Sequence, residues 1–373
     1  MTEQAEIVRR YERVRAAMAA DGLDALIVAG SEYTGFEGAV RYMSGFRILH
    51  RWAYVLVPAE GEPTAIFPAE ARWIGVHDET FLDERQFVDV PGEWMRDRLK
   101  ESGAQRVGVY GLDFVIPVRE YVALSDGGFE LIPFDHQFDA ARAVKSTAEM
   151  ASVRESMAIN EAGAMAVVDA YSPGRTEAEL MGVAEEAFAA RGTTRLTLDM
   201  VLAGPNGAMP PRMRHPTERA IDPGDLLVYG LEVAGPGGHW VEFSRPICDG
   251  PLDPETETLL EAYREYHAAA CATARAGATA HELHRAVSEP FRSRGFQLGH
   301  VIGHSIGMTI IEFPRIGEGQ DIELEENMVL SLHPHAITDE ERACLYMQDT
   351  WRVGAEEGES LSEVEVKVFG GAS

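Results

Sequence analysis

Short apolar runs that alternate with helical stretches constrain the fold of this 373-residue chain more than any other sequence feature. Near the start, IVRRYERVRAAMAADG has helical spacing and ends at a glycine, and LDALIVAG and RVGVYG have the composition of buried strands. The segment AYVLVPAEGEPTAIFP consists of two apolar runs around a turn and predicts a hairpin. Strands that alternate with helices predict an α/β domain over residues 1–140.

A long helical pattern begins after this first domain. Ser146 or Thr147 is suited to cap that helix, and we place the domain boundary just before it. Further helices are predicted at about 176–190, 254–276 and 280–294. Strand-like runs lie between and after these helices, in two similar halves. The pattern therefore predicts an α+β domain over residues 141–373.

Charge and composition exclude several classes of function. The formal net charge of −28 would repel nucleic acid. No apolar run approaches the roughly 18 residues that a membrane span needs, and the polar start, MTEQAEIVRR, does not resemble a secretory signal. The three cysteines, Cys248, Cys271 and Cys344, are scattered and predict neither disulfides nor a zinc knuckle. We expect a cytoplasmic protein that acts on a small molecule, without nucleic-acid or membrane partners.

A histidine motif and several other segments carry a family resemblance. The motif, GHVIGHSIGMTIIEFP at residues 299–314, has two Gly-His steps four residues apart. The other segments are RYMSGFRILHRWAYVLVPAEGEP, AVKSTAEMASVRESMAINEA, HPTERAIDPGDLLVYGLEVAG, HWVEFSRPI and LEENMVLSLHP. Together they resemble the aminopeptidase P / prolidase / creatinase superfamily over nearly the whole chain. The resemblance implies a creatinase-type N-terminal domain over residues 1–140, a pita-bread catalytic domain over 141–373 and a homodimer.

The metallopeptidases of that superfamily hold two metal ions with two Asp, one His and two Glu. In this chain the five positions fall on Gly230, Glu242, His304, His333 and Gln348. Two divalent ions carry four positive charges, which such sites balance with four carboxylates. Only one of the four, Glu242, is present here. We therefore expect no pair of metal ions and no cofactor.

Two further family histidines are also replaced. They fall on Ile311 and Met213, and His215 lies two residues out of register with the second. The residue at Met213 argues against creatinase activity itself. The segment LEVAG resembles the Glu-x-Ala-Gly of ectoine-hydrolase-like members, which also lack the usual ligands. The chain is thus similar to creatinase or ectoine hydrolase among the members without a standard metal site.

A cluster of proton-carrying groups is predicted in place of the metals. Alternation along a strand puts Glu232 on the same face as Gly230, and we expect Glu232 to fill the space beside that glycine. The predicted cluster contains Glu232, Glu242, His304, His333 and Gln348. Two imidazoles and two carboxylates suit acid–base chemistry near neutral pH. The alternative for the cluster as a whole is that its members are paired structural groups. For Glu232 alone, the alternative is a half-exposed strand position without a functional role.

Strand alternation also selects between two neighbouring polar residues. Alternation with Tyr346 and Thr350 favours Gln348 over Asp349 as the residue that faces the cluster, where it would contact substrate. The next histidine after His333, His335, is expected in a loop or at the rim of the site.

The loop GPNGAMPPRMRHPTERAI supplies a candidate anion site. Its Gly and Pro residues predict irregular backbone. Arg214 and His215 are expected to hold a substrate carboxylate, since a guanidinium binds such a group with two hydrogen bonds. The alternative is that this loop contacts a partner subunit.

These residues favour metal-independent hydrolysis of a non-peptide C–N bond in a small, polar, zwitterionic molecule. His304 and His333 would move protons, while Glu232 and Glu242 would orient them and hold the substrate cation. Two alternatives stay open. His304, His333 and Glu242 also form the two-histidine, one-carboxylate ligand set of a single-metal lyase or hydrolase. The third possibility is a catalytically silent binding protein on the same fold.

Overall fold

A computed structural model describes residues 3–32, 36–73, 80–193, 195–196 and 200–370. The chain divides into two compact units. The first contains Met1–Ala143 together with Met308–Phe313, and the second contains Val144–Gly307 and Pro314–Ser373. The first unit thus takes in a short segment from the second half of the histidine motif.

The first unit is an α/β structure. Its strands are β1 (Ala25–Ser31), β2 (Trp52–Pro58), β3 (Thr64–Pro68), β4 (Arg85–Val88), β5 (Arg106–Tyr110) and β6 (Glu130–Pro133). They form one mixed sheet in the order β4-β3-β2-β1-β5-β6, and the antiparallel pair β2–β3 is the predicted hairpin. Its helices are α1 (Glu3–Ala20), α2 (Gly38–Ser44), α3 (Pro91–Ser102), α4 (Val118–Ser125) and α5 (Asp135–Ala143), with a 3₁₀ turn at Ala69–Trp73.

Helices cover both faces of this sheet. Alternate residues of β1 enter two separate cores: Leu26 and Val28 pack with residues of α1, α2 and α5, whereas Ile27 and Ala29 pack with residues of α3 and α4. A strand that is buried on both faces needs a continuous apolar run, which explains the composition of LDALIVAG. The predicted α/β fold of this unit is confirmed.

The second unit contains two helix pairs. Its helices are α6 (Thr147–Ala170), α7 (Glu177–Ala189), α8 (Pro254–Thr273) and α9 (Ala280–Arg292). Helix α6 packs on α7, and α8 packs on α9. Of the two candidate caps, Ser146 and Thr147, Ser146 caps α6, and it forms a capping box with Glu149. Thr176 and Thr279 cap α7 and α9 in the same way.

The strands of the second part of the chain are short. They are β7 (Arg195–Leu196), β8 (Met200–Pro205), β9 (Asp225–Gly230), β10 (Glu232–Ala234), β11 (Trp240–Glu242), β12 (Ile247–Cys248), β13 (Gln297–Leu298), β14 (Gly303–Ser305), β15 (Glu312–Ile316), β16 (Val329–Leu332), β17 (His335–Ile337), β18 (Cys344–Tyr346), β19 (Asp349–Arg352) and β20 (Glu359–Ser360). They form sheets ordered β11-β10-β7, β12-β9-β8, β13-β17-β18 and β15-β14-β16-β19-β20. Helix pairs grouped with mainly antiparallel strands confirm the predicted α+β class. Within the described residues, no helix is both long enough and apolar enough to cross a bilayer.

Candidate active site

Two buried carboxylates face each other across one strand pair. The antiparallel register of β10 and β11 places Glu232 directly opposite Glu242. Thr350 holds the backbone of Glu242, because its hydroxyl accepts from the Glu242 amide and donates to the Glu242 carbonyl, both at 2.9 Å. Like charges directly opposite one another destabilise a sheet. Such a pair therefore needs compensating groups nearby.

The neighbouring ladder supplies those groups. His304 of β14 lies opposite Ser331 of β16, and Ser331 lies opposite Thr350 of β19. Residues two apart on a strand face the same way. His333 and Gln348 lie two residues from Ser331 and Thr350, so they share the face of His304. Strand register therefore assembles a site from residues far apart in the sequence.

The carboxylate of Glu242 lies near both imidazoles. His304 Nε2 is 3.4 Å from Glu242 Oε1, and His333 Nε2 is 3.9 Å from Glu242 Oε2. The centroids of the two rings are 5.1 Å apart. Glu242, His304 and His333 are 2%, 5% and 2% exposed. Each imidazole therefore lies near a different oxygen of one buried carboxylate.

The amide of Gln348 joins the two carboxylates. Its Nε2 donates to Glu242 Oε2 at 3.0 Å and to Glu232 Oε1 at 3.4 Å, and its Oε1 accepts from the Leu231 amide at 2.9 Å. A Cβ placed on Gly230 would lie 3.0 Å from Gln348 Oε1. The atoms nearest to this point belong to the Gln348 amide, which therefore takes the place beside Gly230 that the sequence suggested for Glu232.

The environment favours the protonated form of His304. Burial lowers the pKa of this imidazole, but the hydrogen bond to Glu242 and the charge of that carboxylate raise it, and the net effect is a raised pKa. The Nδ1 of His304 lies 2.9 Å from the carbonyl oxygen of Ser305, which only accepts, so this nitrogen carries a proton. Burial raises the pKa of Glu242, yet the neighbouring His333 and His304 lower it to about 2.

His333 has the opposite preference. Burial lowers its pKa to about 4, against the effect of Glu242 and with further lowering by His304 and His300. Its Nδ1 is buried and has no hydrogen-bond partner among the residues that the structure describes. His333 is therefore neutral at physiological pH, and the imidazole that balances the charge of Glu242 is His304.

The residues present do not fit two metal ions. Gly230 offers no ligand, and the N–H groups of Gln348 point at the two carboxylates that cations would need. A single ion fits better, because donor atoms of Glu242, His304 and His333 all lie within 4.8 Å of one another. Two imidazoles and one carboxylate are a known ligand set for iron or zinc.

The predicted anion-binding residues lie apart from this cluster. Arg214 Nη2 donates to the buried carboxylate of Glu177 at 3.2 Å, and His215 is exposed. Within the described part of the chain, no hydrogen bond or ion pair links Arg214 or His215 to the cluster. Their role as ligands for a substrate carboxylate stays a prediction.

Other predictions from the sequence had different outcomes. Asp349 forms a buried ion pair with Arg245 at 2.7 Å, so Gln348 is the residue that faces the cluster. His335 is buried in β17, with its ring edge-on to Tyr346 at 5.6 Å, and its expected place in a loop or at the rim is wrong. The support of Glu242 by Thr350 was missed, although Thr350 lies two residues from Gln348 on the same face.

The chain matches known protein families and individual proteins over most of its length. The model of metallopeptidase family M24 matches residues 151–360, and the model of the creatinase/prolidase N-terminal domain matches residues 10–144. The chain is 22% identical over 330 residues to the Xaa-Pro dipeptidase of Pyrococcus horikoshii, covering 87% of this chain and 89% of that protein.

Solved structures share the fold over nearly the full length. The prolidase from Pyrococcus horikoshii OT3 superposes with a TM-score of 0.82 at 21% identity, covering 95% of this chain and 98% of that one. The dipeptidase PepE from Mycobacterium ulcerans superposes with a TM-score of 0.83 at 23% identity, covering 99% of both chains. These relatives carry the names of dipeptidases and prolidases, so the special likeness to creatinase or ectoine hydrolase that the sequence predicted is not what they show.

Proposed function

Because the chain belongs to metallopeptidase family M24, we propose that it is a hydrolase that cleaves a C–N bond without the pair of metal ions expected in that family. The substrate is a small, polar, zwitterionic molecule, and the bond is not a peptide bond. One observation carries the proposal. Glu242 lies 3.4 Å and 3.9 Å from the Nε2 atoms of two buried imidazoles whose pKa values are shifted in opposite directions.

The opposite pKa shifts of the two imidazoles support one acid and one base. His333 is neutral and takes a proton from the attacking water as the water oxygen bonds to carbon. His304 is protonated, and it gives its Nε2 proton to the nitrogen as the C–N bond breaks. Glu242 orients both rings and stabilises the charge on whichever ring holds the proton. Proton exchange with solvent then restores the starting state.

The charge of the cluster favours a cationic group in the substrate. With both carboxylates ionised and His304 protonated, Glu232, Glu242 and His304 together carry one net negative charge. A substrate ammonium or amidinium beside Glu232 would neutralise it. Arg214 and His215 are proposed to hold the carboxylate at the other end of the substrate.

The test is a substrate screen with the metal content of the protein measured. Chelator-treated protein is assayed with small zwitterions that contain ureido, guanidino, lactam or cyclic amidine C–N bonds, and with Xaa-Pro dipeptides. We expect turnover of one of the former class. His304→Gln and His333→Gln should each lower kcat by about 10²- to 10⁴-fold, the usual effect of losing a general acid or base. His50→Gln, a change at a histidine of the first unit, is the control and should retain full activity. Cleavage of Xaa-Pro dipeptides alone, with two ions per chain, would refute the proposal.

A single-metal hydrolase or lyase is the second candidate, and the convergence of Glu242, His304 and His333 donor atoms within 4.8 Å favours it. These three residues would hold the ion, which would supply Lewis acidity and lower the pKa of a water molecule. This candidate predicts one ion per chain by elemental analysis, with binding lost in His333→Gln. It also predicts that chelation abolishes activity and that one added ion restores it. The metal-free mechanism predicts activity that is unchanged by chelation.

A further inference from the structure

We propose that Gln348 is a positioning residue whose amide replaces a cation between the carboxylates of Glu232 and Glu242. The amide donates to both carboxylates, at 3.4 Å and 3.0 Å. The inference concerns how this site is built without a pair of ions, and it does not depend on which bond the protein cleaves.

The orientation of the amide is set by a third hydrogen bond. The Leu231 backbone N–H only donates, and it lies 2.9 Å from Gln348 Oε1. The oxygen of the amide must therefore face Leu231, and its NH₂ group must face the carboxylates. Leu231 directly precedes Glu232. The Gln348 side chain therefore binds the backbone next to Glu232, and it also binds one carboxylate oxygen of Glu232 and one of Glu242.

Burial makes such a bridge favourable. Glu232 and Glu242 are cross-strand partners, and the Gln348 side chain is fully buried. Repulsion between two carboxylates is much stronger in a poorly solvated site than in water. An NH₂ group has two N–H bonds and gives one to each acid, with no charge of its own.

Gly230 is complementary in shape to this amide. Gly230 has no side chain, and any Cβ there would lie 3.0 Å from Gln348 Oε1, closer than ordinary contacts allow. The glycine therefore leaves room for the amide. Gly230 and Gln348 occupy two of the positions at which the resemblance implies acidic metal ligands, and here they fit each other.

The test is Gln348→Glu, which keeps the size of the side chain and exchanges the two donors for a third carboxylate. We expect the melting temperature near pH 8 to fall by about 5 °C or more, since buried charges lose their partners. The gap from the unsubstituted protein should narrow near pH 5, where the new acid binds a proton and becomes a donor. In MnCl₂, the variant should bind one more ion per chain than the unsubstituted protein, by equilibrium dialysis and elemental analysis.

Two further variants separate the possible causes. Gln348→Met removes the donors without adding charge, so it should also lose more stability near pH 8 than near pH 5, but it should gain no manganese. Gln297→Glu is the matched control, because the exposed Gln297 amide also donates to one carboxylate, that of Asp339 at 3.0 Å. It should alter neither the melting temperature by more than about 1 °C nor the ion count.

Equal stability of Gln348→Glu and the unsubstituted protein at both pH values, with no extra manganese, would overturn the inference. If Gln348→Glu fails to fold, the pH dependence of Gln348→Met decides, and a pH-independent loss would mean that the amide only fills space. Neither result bears on the proposed function, because stability and ion count are measured without a substrate.

Discussion

At the scale of single residues, two like side chains of this site differ in charge because their contacts differ. His304 is closer to the carboxylate of Glu242, at 3.4 Å, and its Nδ1 is held by a carbonyl oxygen. His333 is at 3.9 Å and its Nδ1 has no hydrogen-bond partner among the described residues. Burial lowers the pKa of both imidazoles, but the closer contact with Glu242 raises the pKa of His304 by more than burial lowers it. The division between acid and base therefore follows from contacts rather than from residue type.

The lowered pKa of His333 makes a prediction about acid stability. Its pKa falls from an ordinary 6.5 to about 4 on folding, so the unfolded state binds more protons between these values. Stability is therefore lost as the pH falls through this window. We expect the loss between about pH 7 and pH 4.5 to be about 2 kcal/mol smaller in His333→Gln than in the unsubstituted protein.

Urea unfolding at the two pH values measures this difference. Glu242 also contributes to the acid loss, because its ordinary pKa of 4.5 is lowered in the folded protein. We expect the protonated His304 to keep Glu242 ionised in both proteins, so this contribution cancels in the difference. The unsubstituted protein, measured in parallel, gives the reference loss. If His333→Gln shows that same loss, His333 is already charged in the folded protein and is not the neutral base.

A second prediction concerns the ion pair behind the site. Arg245 Nη2 lies 2.7 Å from Asp349 Oδ1, with both side chains almost fully buried. Arg245 also donates to the carbonyl oxygen of Gln348 at 3.3 Å. Asp349→Ala leaves a buried guanidinium without its carboxylate and should lower the free energy of unfolding by about 3 to 5 kcal/mol.

The exposed pair between Arg352 and Glu326 is the control for that measurement. Glu326→Ala should cost no more than about 1 kcal/mol, because solvent screens this pair. Both values come from urea unfolding at one pH. A similar small cost for Asp349→Ala would show that water reaches Arg245.

At the scale of elements, the site depends on how closely two strands approach. Gly303 of β14 packs against β16, and a Cβ there would lie 2.1 Å from the backbone oxygen of Ser331. His304 directly follows Gly303, and His333 directly follows β16. The glycine therefore sets the distance between the strands that carry the two imidazoles.

Gly303→Ala should disturb the site more than its single methyl group implies. The strands must separate, and we expect a loss of about 1 to 3 kcal/mol in stability, together with loss of turnover. Gly182→Ala is the matched control, since its Cβ meets nothing within 4 Å and it lies within α7. That change should stabilise the protein by about 0.5 to 1 kcal/mol. Thermal unfolding of both variants checks the contrast, and an unchanged Gly303→Ala would mean that the strands yield easily.

Elements with local signals were predictable from the sequence. A cap such as Ser146 and the apolar run of β1 both act on their own neighbours, so their consequences appear in the local pattern. Alternation likewise selected Gln348 over Asp349. By contrast, the pairing of Arg214 with Glu177 joins residues that are 37 positions apart, and no local pattern reports it.

The contents of the site were only partly predictable for the same reason. The family resemblance indicated which positions converge, and the structure brings those positions together. It did not indicate that the Gln348 amide would take the space beside Gly230, since that depends on three-dimensional packing between β9 and the start of β19. Burial of His335 was missed because its position after Pro334 resembles a loop, whereas the backbone returns to a strand at that residue.

At the scale of the whole molecule, charge is unevenly balanced. The chain has 61 acidic and 33 basic residues, and the formal net charge is −28. The excess acidic side chains repel one another more strongly in the folded state, where they are closer together than in the unfolded chain. With His304 protonated, the cluster of Glu232, Glu242 and His304 contributes one negative charge to the excess. Most of the excess therefore lies outside the site.

This excess predicts that salt stabilises the protein. Raising KCl from about 10 mM to about 150 mM shortens the screening length from roughly 30 Å to roughly 8 Å, so repulsion across the surface weakens. We expect the melting temperature to rise by a few degrees, equivalent to about 1 kcal/mol. Glucose at the same osmolality is the control and should give a smaller change. A fall in melting temperature with KCl would instead mean that attractive ion pairs, such as Arg294 with Glu265, outweigh the net repulsion. Calorimetric scans at constant pH distinguish these outcomes. Screening of the net repulsion raises the melting temperature, whereas screening of attractive ion pairs lowers it.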